Sequence, residues 1–312
     1  MLTPADGLPP VLDFDGLAAL LREHLRDGDR FLHLPGNAGD ALIALGAHQF
    51  FDAHGFRLSE QSYRAPVPDG AGVVFAAAGN FVPLYDHLAG FLAAEAHRLA
   101  RIVLLPATVR GNETLLGSLP AKTLILCRDM ESFRHCRAAA PQVALQLCPD
   151  MALFWTPEAH AREFRAALPG MLVRPYAWRY ATKAARAFLG ARTLRRQGGT
   201  LLAMRTDGES AGDAPPPESI DLSEVFRVRE NERDQALLAV EALRRFLAPF
   251  ERVRTNRLHV AVLSALLGKE VVVSDNNYGK LRAVLALASP ELRARIRFAD
   301  GEAGQGSHTP LP

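Results

Sequence analysis

The residues best equipped for chemistry lie toward the carboxyl end of the chain: Arg257-Leu258-His259, then the run VVVSD, then the turn Asn276-Asn277-Tyr278-Gly279-Lys280. Arg257 and His259 alternate with Leu258, so a strand continuing through them would place both on one face. Lys280 would open the next helix, at the end where phosphate groups bind well. A guanidinium grips a carboxylate through two N–H groups, an ammonium meets a phosphate as a point charge, and an imidazole can carry a proton near neutral pH. Together they describe a site for a small molecule bearing both carboxylate and phosphate. The structural alternative is that each is simply a buried partner or a solvated side chain.

Other candidates sit where apolar runs give way to helices. Gly36-Asn37-Ala38-Gly39-Asp40 follows such a run and opens a helix, the layout of an anion cradle, with Gly36 and Gly39 needed for backbone reasons and Asp40 the cap in the structural alternative. A second turn of this kind, Ala78-Gly79-Asn80-Phe81, brings Asn80 to a neighbouring strand end. Arg128, Asp129 and Ser132 follow TLILC, Asp150 ends the next run, and Arg205-Thr206-Asp207-Gly208-Glu209 ends another. Strand ends of this sort project into a cleft, although Asp129 or Ser132 could equally cap a helix. Neither glycine turn matches a dinucleotide fingerprint or a phosphate loop. Gly208-Glu209-Ser210-Ala211-Gly212 fits the hydrolase pattern G-x-S-x-G, but a nucleophile elbow needs a helix straight after the serine, and here APPP follows.

These positions are spaced by an alternation of short apolar runs and helical patterns. RFLHLPG (30–36), VVFAAAG (73–79), RIVLLPAT (101–108), TLILCRD (123–129) and VALQLCPD (143–150) read as buried parallel strands. Helical spacing lies between them, as in 40–54 and 84–100. The pattern loosens over 156–197 and resumes with GGTLLAMRTD (198–207), a helix over 230–250, RVRTNRLH (252–259), a short helix to Leu267, KEVVVSD (269–275) and a helix from Tyr278. The expectation is an α/β protein of two domains, 1–160 and 198–300, joined by a basic hinge at 161–197 and followed by a disordered tail at 301–312. Their strand ends would face one central cleft.

The 312 residues are 48% hydrophobic and 22% charged, a composition that suits a globular chain. No run reaches the ~18 apolar residues of a membrane span, and the first residues lack the basic and apolar blocks of a signal peptide, which points to the cytoplasm. Cys127, Cys136 and Cys148 show no paired spacing, so neither a zinc site nor a disulfide is expected, and no ligand set for a metal is evident. Net charge is only +2, yet 164–206 contains no acidic residue and carries Arg165, Arg174, Arg179, Lys183, Arg186, Arg192, Arg195, Arg196 and Arg205, interleaved with Tyr176, Trp178, Tyr180 and Phe188. Such a stretch suits a polyanion, an anionic membrane surface or a phosphorylated sugar-lipid, or else is a solvated basic face.

At the level of motifs the chain resembles bacterial polysaccharide pyruvyl transferases, including the exopolysaccharide branch. The resemblance rests on GNAGDALI (36–43), AAGNFVPLYDHL (77–88), IVLLPATV (102–109), LILCRDMES (124–132), PDMAL (149–153), LLAMRTDGES (201–210) and above all TNRLHVAVLSALLGKEVVVSDNNYGKL (255–281). It implies a GT-B-like fold of two Rossmann-like domains and transfer of pyruvate, as a ketal, from phosphoenolpyruvate to a sugar of a polymer or lipid-linked glycan. The family's functional arginine, histidine and lysine fall on Arg257, His259 and Lys280. Substrate contacts are expected from Gly36, Asn37, Gly39, Asp40, Asn80, Arg128, Asp129, Asp150, Arg205 and Asp207, with no cofactor and no nucleic acid. Where the family usually reads GGGNFGD this chain has Ala77-Ala78-Gly79-Asn80-Phe81-Val82-Pro83, which removes a close backbone approach and an acidic group. The same architecture also hosts glycosyltransferases that use nucleotide sugars, and a silent glycan-binding role is a further alternative.

Overall fold

The computed structural model describes residues 10–205, 216–275 and 279–299. In chain order these form α1 (Phe14–His24), β1 (Arg30–His33), α2 (Ala38–His54), β2 (Ser59–Ser62), β3 (Gly72–Phe75), β4 (Ala78–Phe81), α3 (His87–Glu95), β5 (Arg101–Val109), α4 (Glu113–Ser118), β6 (Thr123–Cys127), α5 (Met130–Ala139) and β7 (Ala144–Leu147). The second half follows with α6 (Pro157–Leu172), α7 (Pro175–Gly190), α8 (Arg192–Gln197), β8 (Thr200–Ala203), α9 (Leu222–Val225), α10 (Arg233–Leu247), β9 (Arg252–Thr255), α11 (Leu258–Leu266), β10 (Glu270–Val273), α12 (Lys280–Leu285), α13 (Pro290–Ala294) and β11 (Ile296–Phe298). The class is α/β with parallel sheets.

The first sheet runs β2-β1-β3-β5-β6-β7, with β4 also paired to β5, and the second runs β11-β10-β9-β8. All pairings are parallel. The central strands β3, β5 and β6 are buried almost throughout, as strands covered by helices on both faces must be. One apolar cluster covers the outer face of the first sheet through Val73, Phe75, Ile102, Leu104 and Ile125. The other is continuous from Val74 and Val103 on its inner face, through Leu42, Ile43 and Leu45 of α2, to Leu201, Val253 and Val271 of the second sheet. Helix α2 is therefore a shared wall.

Several elements differ from their sequence-based expectation. The run VVFAAAG is broken into β3 and β4, with Ala78 in the left-handed region at φ 52°. The basic stretch forms α6, α7 and α8, with Pro157 and Pro175 at first-turn positions where a missing N–H costs nothing. Its Phe164, Tyr180, Phe188 and Leu194 pack on the shared core. The strand expected through RVRTNRLH stops at Thr255. The Thr255 hydroxyl donates to the Ala203 carbonyl (2.5 Å) and accepts from the Arg257 N–H (3.0 Å), and Leu258 then opens α11. Strand β2 was not expected because SEQS has no apolar run, and β11 is a three-residue edge. Asp207, the Gly208–Gly212 pattern, Asn276–Tyr278 and the tail at 301–312 lie outside the described residues. Among the described residues no helix is long and apolar enough to cross a membrane.

Candidate active site

The carboxyl ends of both sheets meet around a cavity of about 160 Å³. From the first sheet its wall takes Gly36, Asn37 and Asp40 of the β1–α2 turn, Asn80 of β4 and Arg128 beyond β6. From the second it takes Arg205 beyond β8, then Asn256, Arg257 and His259 beyond β9. Leu281 of α12 closes one side. Most of the expected strand-end residues are thus brought to one place, by the topology alone.

The alternation argument for Arg257 and His259 is overturned, since no strand passes through them. Arg257 is the N-cap residue of α11 and His259 lies in that helix's first turn. The site forms because β9 ends at the cavity. His259 Nε2 lies 3.5 Å from Asp150 Oδ2, and Arg128 Nη1 donates to the same oxygen at 2.5 Å. Arg128 is fully buried, and its Nε donates to Thr108 Oγ1 at 3.0 Å. Asp150 also accepts from the Ala152 N–H (2.8 Å). Burial pushes the Asp150 carboxyl up, and the Arg128 charge with the His259 contact outweighs it, holding the group below the usual carboxylate range. An ionised carboxylate, itself fixed by a guanidinium and a backbone N–H, is what orients an imidazole for proton transfer.

Arg257 is committed differently from the expectation. Its Nε and Nη2 donate to Asp221 Oδ1 and Oδ2 at 3.0 and 2.5 Å, with both side chains 6% exposed. The two-toothed edge expected for a substrate carboxylate is taken by Asp221, and what Arg257 brings to the cavity wall is its charge. Asp221 was missed, although Asp221-x-x-Glu224 before a helix is a capping pattern; its Oδ1 accepts from the Glu224 N–H at 3.5 Å. Asn256 was missed too. Its Oδ1 accepts from the Arg205 N–H (2.7 Å), tying the ends of β8 and β9 together, and nothing in RVRTNRLH distinguishes it. Arg227 of the α9 end, paired with Glu224 at 3.2 Å, adds a further guanidinium to the wall, and Tyr85 and His87 line the opposite side.

The glycine turn is a capping box. Asn37 Oδ1 accepts from the N–H groups of Gly39 (2.7 Å) and Asp40 (3.4 Å), and Asp40 Oδ2 accepts from the Asn37 N–H (2.9 Å). The helix starts at Ala38 with Asn37 as its cap, and the N–H groups expected to cradle an anion are partly taken by the chain itself. Neither Gly36 nor Gly39 has positive φ. Gly39 is required by proximity instead: a Cβ there would stand 2.7 Å from His259 Nδ1. Gly36 forms an antiparallel bridge with Val228, which brings the segment before α10 across the β1–α2 turn.

Asp129 does not join the site. It caps α5, accepting from the Ser132 N–H (2.7 Å) and the Ser132 hydroxyl (2.7 Å), and it is buried. Asp150 stands behind His259 rather than on the cavity wall. Lys280 is the first residue of α12, as expected, and its side chain lies outside what is described. The three cysteines are free and buried, with burial raising the Cys148 thiol well above its ordinary value.

Comparison with known proteins places the chain in a family. EpsO of Bacillus subtilis (strain 168), whose name assigns it provisionally as a pyruvyl transferase, is 27% identical over 277 residues, covering 79% of this chain and 80% of its own. The crystal structure of an uncharacterized protein from Klebsiella pneumoniae subsp. pneumoniae NTUH-K2044 superposes with a TM-score of 0.68 at 22% identity, over 90% of this chain and 96% of that one, and so shares the fold. Residues 37–278 match the family model described as polysaccharide pyruvyl transferase. That span runs from the cap of α2 through the Arg257–His259 segment to the turn before α12, well over half of the chain, and the protein belongs to the polysaccharide pyruvyl transferase family.

Proposed function

We propose that this pyruvyl transferase takes its three carbons from phosphoenolpyruvate and leaves them as a ketal on a sugar of a polysaccharide or lipid-linked glycan intermediate, releasing inorganic phosphate. The observation that carries the reading is the alignment of His259, Asp150 and Arg128 beside an arginine-lined cavity. In this scheme His259 gives its proton to the methylene carbon of the donor while a sugar hydroxyl adds to the adjacent carbon and loses its own proton. A second hydroxyl of the same sugar then displaces phosphate, closing the ketal, and its proton leaves with the phosphate. Acid catalysis of this kind is worth ~10²–10⁴ in rate. Arg257, Arg205 and Arg227 supply positive charge for the carboxylate and the departing phosphate, and Lys280, one residue before the cavity-lining Leu281, is assigned to the phosphate with them. Asp150 is a positioning residue. The scheme itself calls for no cofactor.

The size of the cavity favours this donor over a nucleotide sugar, being below the ~300–1,000 Å³ usual for drug-sized ligands. The two sheets are read as Rossmann-like domains, about 1–160 and 198–300, facing one another in the GT-B manner. The enzyme is read as cytoplasmic and as touching the inner membrane face through the basic helices α7 and α8, where a lipid-linked acceptor would be presented.

The test is phosphate release from phosphoenolpyruvate in the presence of glycan acceptors, with the ketal identified in the product by mass spectrometry. His259→Ala should lower turnover by ~10²-fold or more with the Michaelis constant for the donor nearly kept, because a proton donor matters most in the transition state. Near-normal turnover in a folded His259→Ala protein would remove His259 as the acid. Turnover of nucleoside-diphosphate sugars in place of phosphoenolpyruvate would remove the donor assignment.

A further inference from the structure

Away from the cavity wall, three elements bring together a set of donors that the transfer chemistry does not use. His33 ends β1, His48 lies in the middle of α2, and Glu60 sits on the edge strand β2. One donor atom from each lies within 4.8 Å of the others. His33 Nε2 is 3.3 Å from Glu60 Oε2, and His48 Nδ1 is 3.4 Å from Glu60 Oε1. His33 Nε2, the atom that faces Glu60, is buried without any hydrogen-bond partner. A buried imidazole nitrogen without a partner is costly, and hydrogen bonding within the trio does not explain why it is gathered.

Metal ligation does explain it. With metal–ligand bonds of ~2.0–2.1 Å, adjacent donors of a tetrahedral zinc site stand about 3.3–3.4 Å apart, close to the spacing of His33 Nε2 from Oε2 and of His48 Nδ1 from Oε1 of Glu60, so both carboxylate oxygens would face the ion. His33 and His48 are 2% and 3% exposed, whereas the Glu60 side chain is 36% exposed, which leaves one side for a water ligand.

We propose that His33, His48 and Glu60 form a divalent transition-metal site, zinc by ligand type, that ties β1, β2 and α2 together next to the active-site turn. Two imidazoles and one carboxylate suit zinc and its first-row neighbours better than magnesium or calcium, which take oxygen ligands. From His33 the chain runs through Pro35 to Gly36 and Asn37 on the cavity wall, so the ion would brace that turn rather than meet substrate.

The experiment uses the tag-free full chain, dialysed against a chelator and then titrated with Zn²⁺ by calorimetry and with Co²⁺ by visible absorption. One ion per chain, a Co²⁺ band of tetrahedral intensity and a raised thermal midpoint are expected. His48→Ala and Glu60→Gln should each weaken binding at least ~10-fold, and Glu60→Gln, on a half-exposed side chain, keeps the fold measurable should His48→Ala not fold. The absence of saturable binding at micromolar to sub-millimolar Zn²⁺ overturns the proposal. So does binding that is equally tight in a folded His33→Ala/Glu60→Gln protein, because the ion would then sit on other histidines. Neither result bears on the phosphoenolpyruvate reading, which is measured by turnover.

Discussion

Gly39 shows how a residue without a side chain can govern the histidine proposed as the proton donor. Its Cα faces the His259 ring so closely that a Cβ would stand 2.7 Å from Nδ1 and 2.9 Å from the His259 Cβ. With Nε2 directed to Asp150, the imidazole cannot move away from an intruding group without losing its orienting contact. Gly39→Val should therefore lower turnover by about 10²-fold, the order expected from a displacement of roughly 1 Å in a positioned group. Gly39→Ala should do the same to a smaller degree. Wild-type turnover in a folded Gly39→Val protein would show that the ring has room to spare. The importance of this turn was legible in GNAGDALI, but not its reason, because the sequence says nothing of what lies opposite. The same holds for Arg257. Its type and place marked it, while its partner Asp221 is 36 positions away and reaches it only because α9 folds over the end of β9. Asp129 was read as equally capable of capping or binding, and the cap prevailed because a carboxylate one residue before a helix finds its N–H groups first.

At the scale of elements, the acid-free stretch has two distinct faces. Tyr180 donates to the Phe226 carbonyl (2.9 Å), Phe188 packs on Phe246, and Arg195 stacks over Phe188 with its carbon 4.4 Å from the ring centre, so these belong to the core. On the other side Val173, Trp178 and Leu189 are 79%, 62% and 68% exposed, amid the exposed Arg174, Arg179, Arg186, Arg192 and Arg196. Exposed large apolar groups among cations are what an anionic membrane surface selects. Reversing Arg186, Arg192 and Arg196 to Glu should weaken binding to anionic vesicles by at least ~10²-fold at low salt, at roughly 1 kcal/mol per basic residue near such a surface, and by less as salt screens the charges. Equal binding at every ionic strength would leave a merely solvated face. Arg195 belongs outside that test, although its sequence neighbours mark it as one of the same group. The strands were legible because buried parallel strands are continuous apolar runs. The end of β9 was not, since Thr255 and Asn256 stop it through hydrogen bonds to β8 and its loop, partners that no local pattern reveals.

At the scale of the molecule, the two sheets share one apolar core. The core that begins on the inner face of the first sheet passes through α2 into the second sheet. Across it, Arg233 of α10 pairs with Asp52 of α2, Arg64 donates to Glu230 at 2.9 Å, and the Asn231 N–H donates to the Leu34 carbonyl at 3.3 Å. Helix α2 approaches the turn after β7 so closely that a Cβ on Gly46 would lie 1.9 Å from the Met151 carbonyl oxygen. A backbone carbonyl cannot swing aside as a flexible side chain can, so Gly46→Ala should cost at least the ~1–3 kcal/mol typical of overpacking. Because α2 serves both sheets, that loss should appear everywhere at once. Urea unfolding followed by tryptophan fluorescence, from the buried Trp155 and the exposed Trp178, and by far-ultraviolet dichroism should give coincident transitions, shifted together to lower urea in Gly46→Ala. Two separated transitions, or a shift confined to one of them, would mean that the halves fold independently despite the common core. A single transition has a functional corollary. Arginines from the ends of both sheets, tied through one core, would then be fixed before the donor arrives, as preorganised charge stabilisation requires.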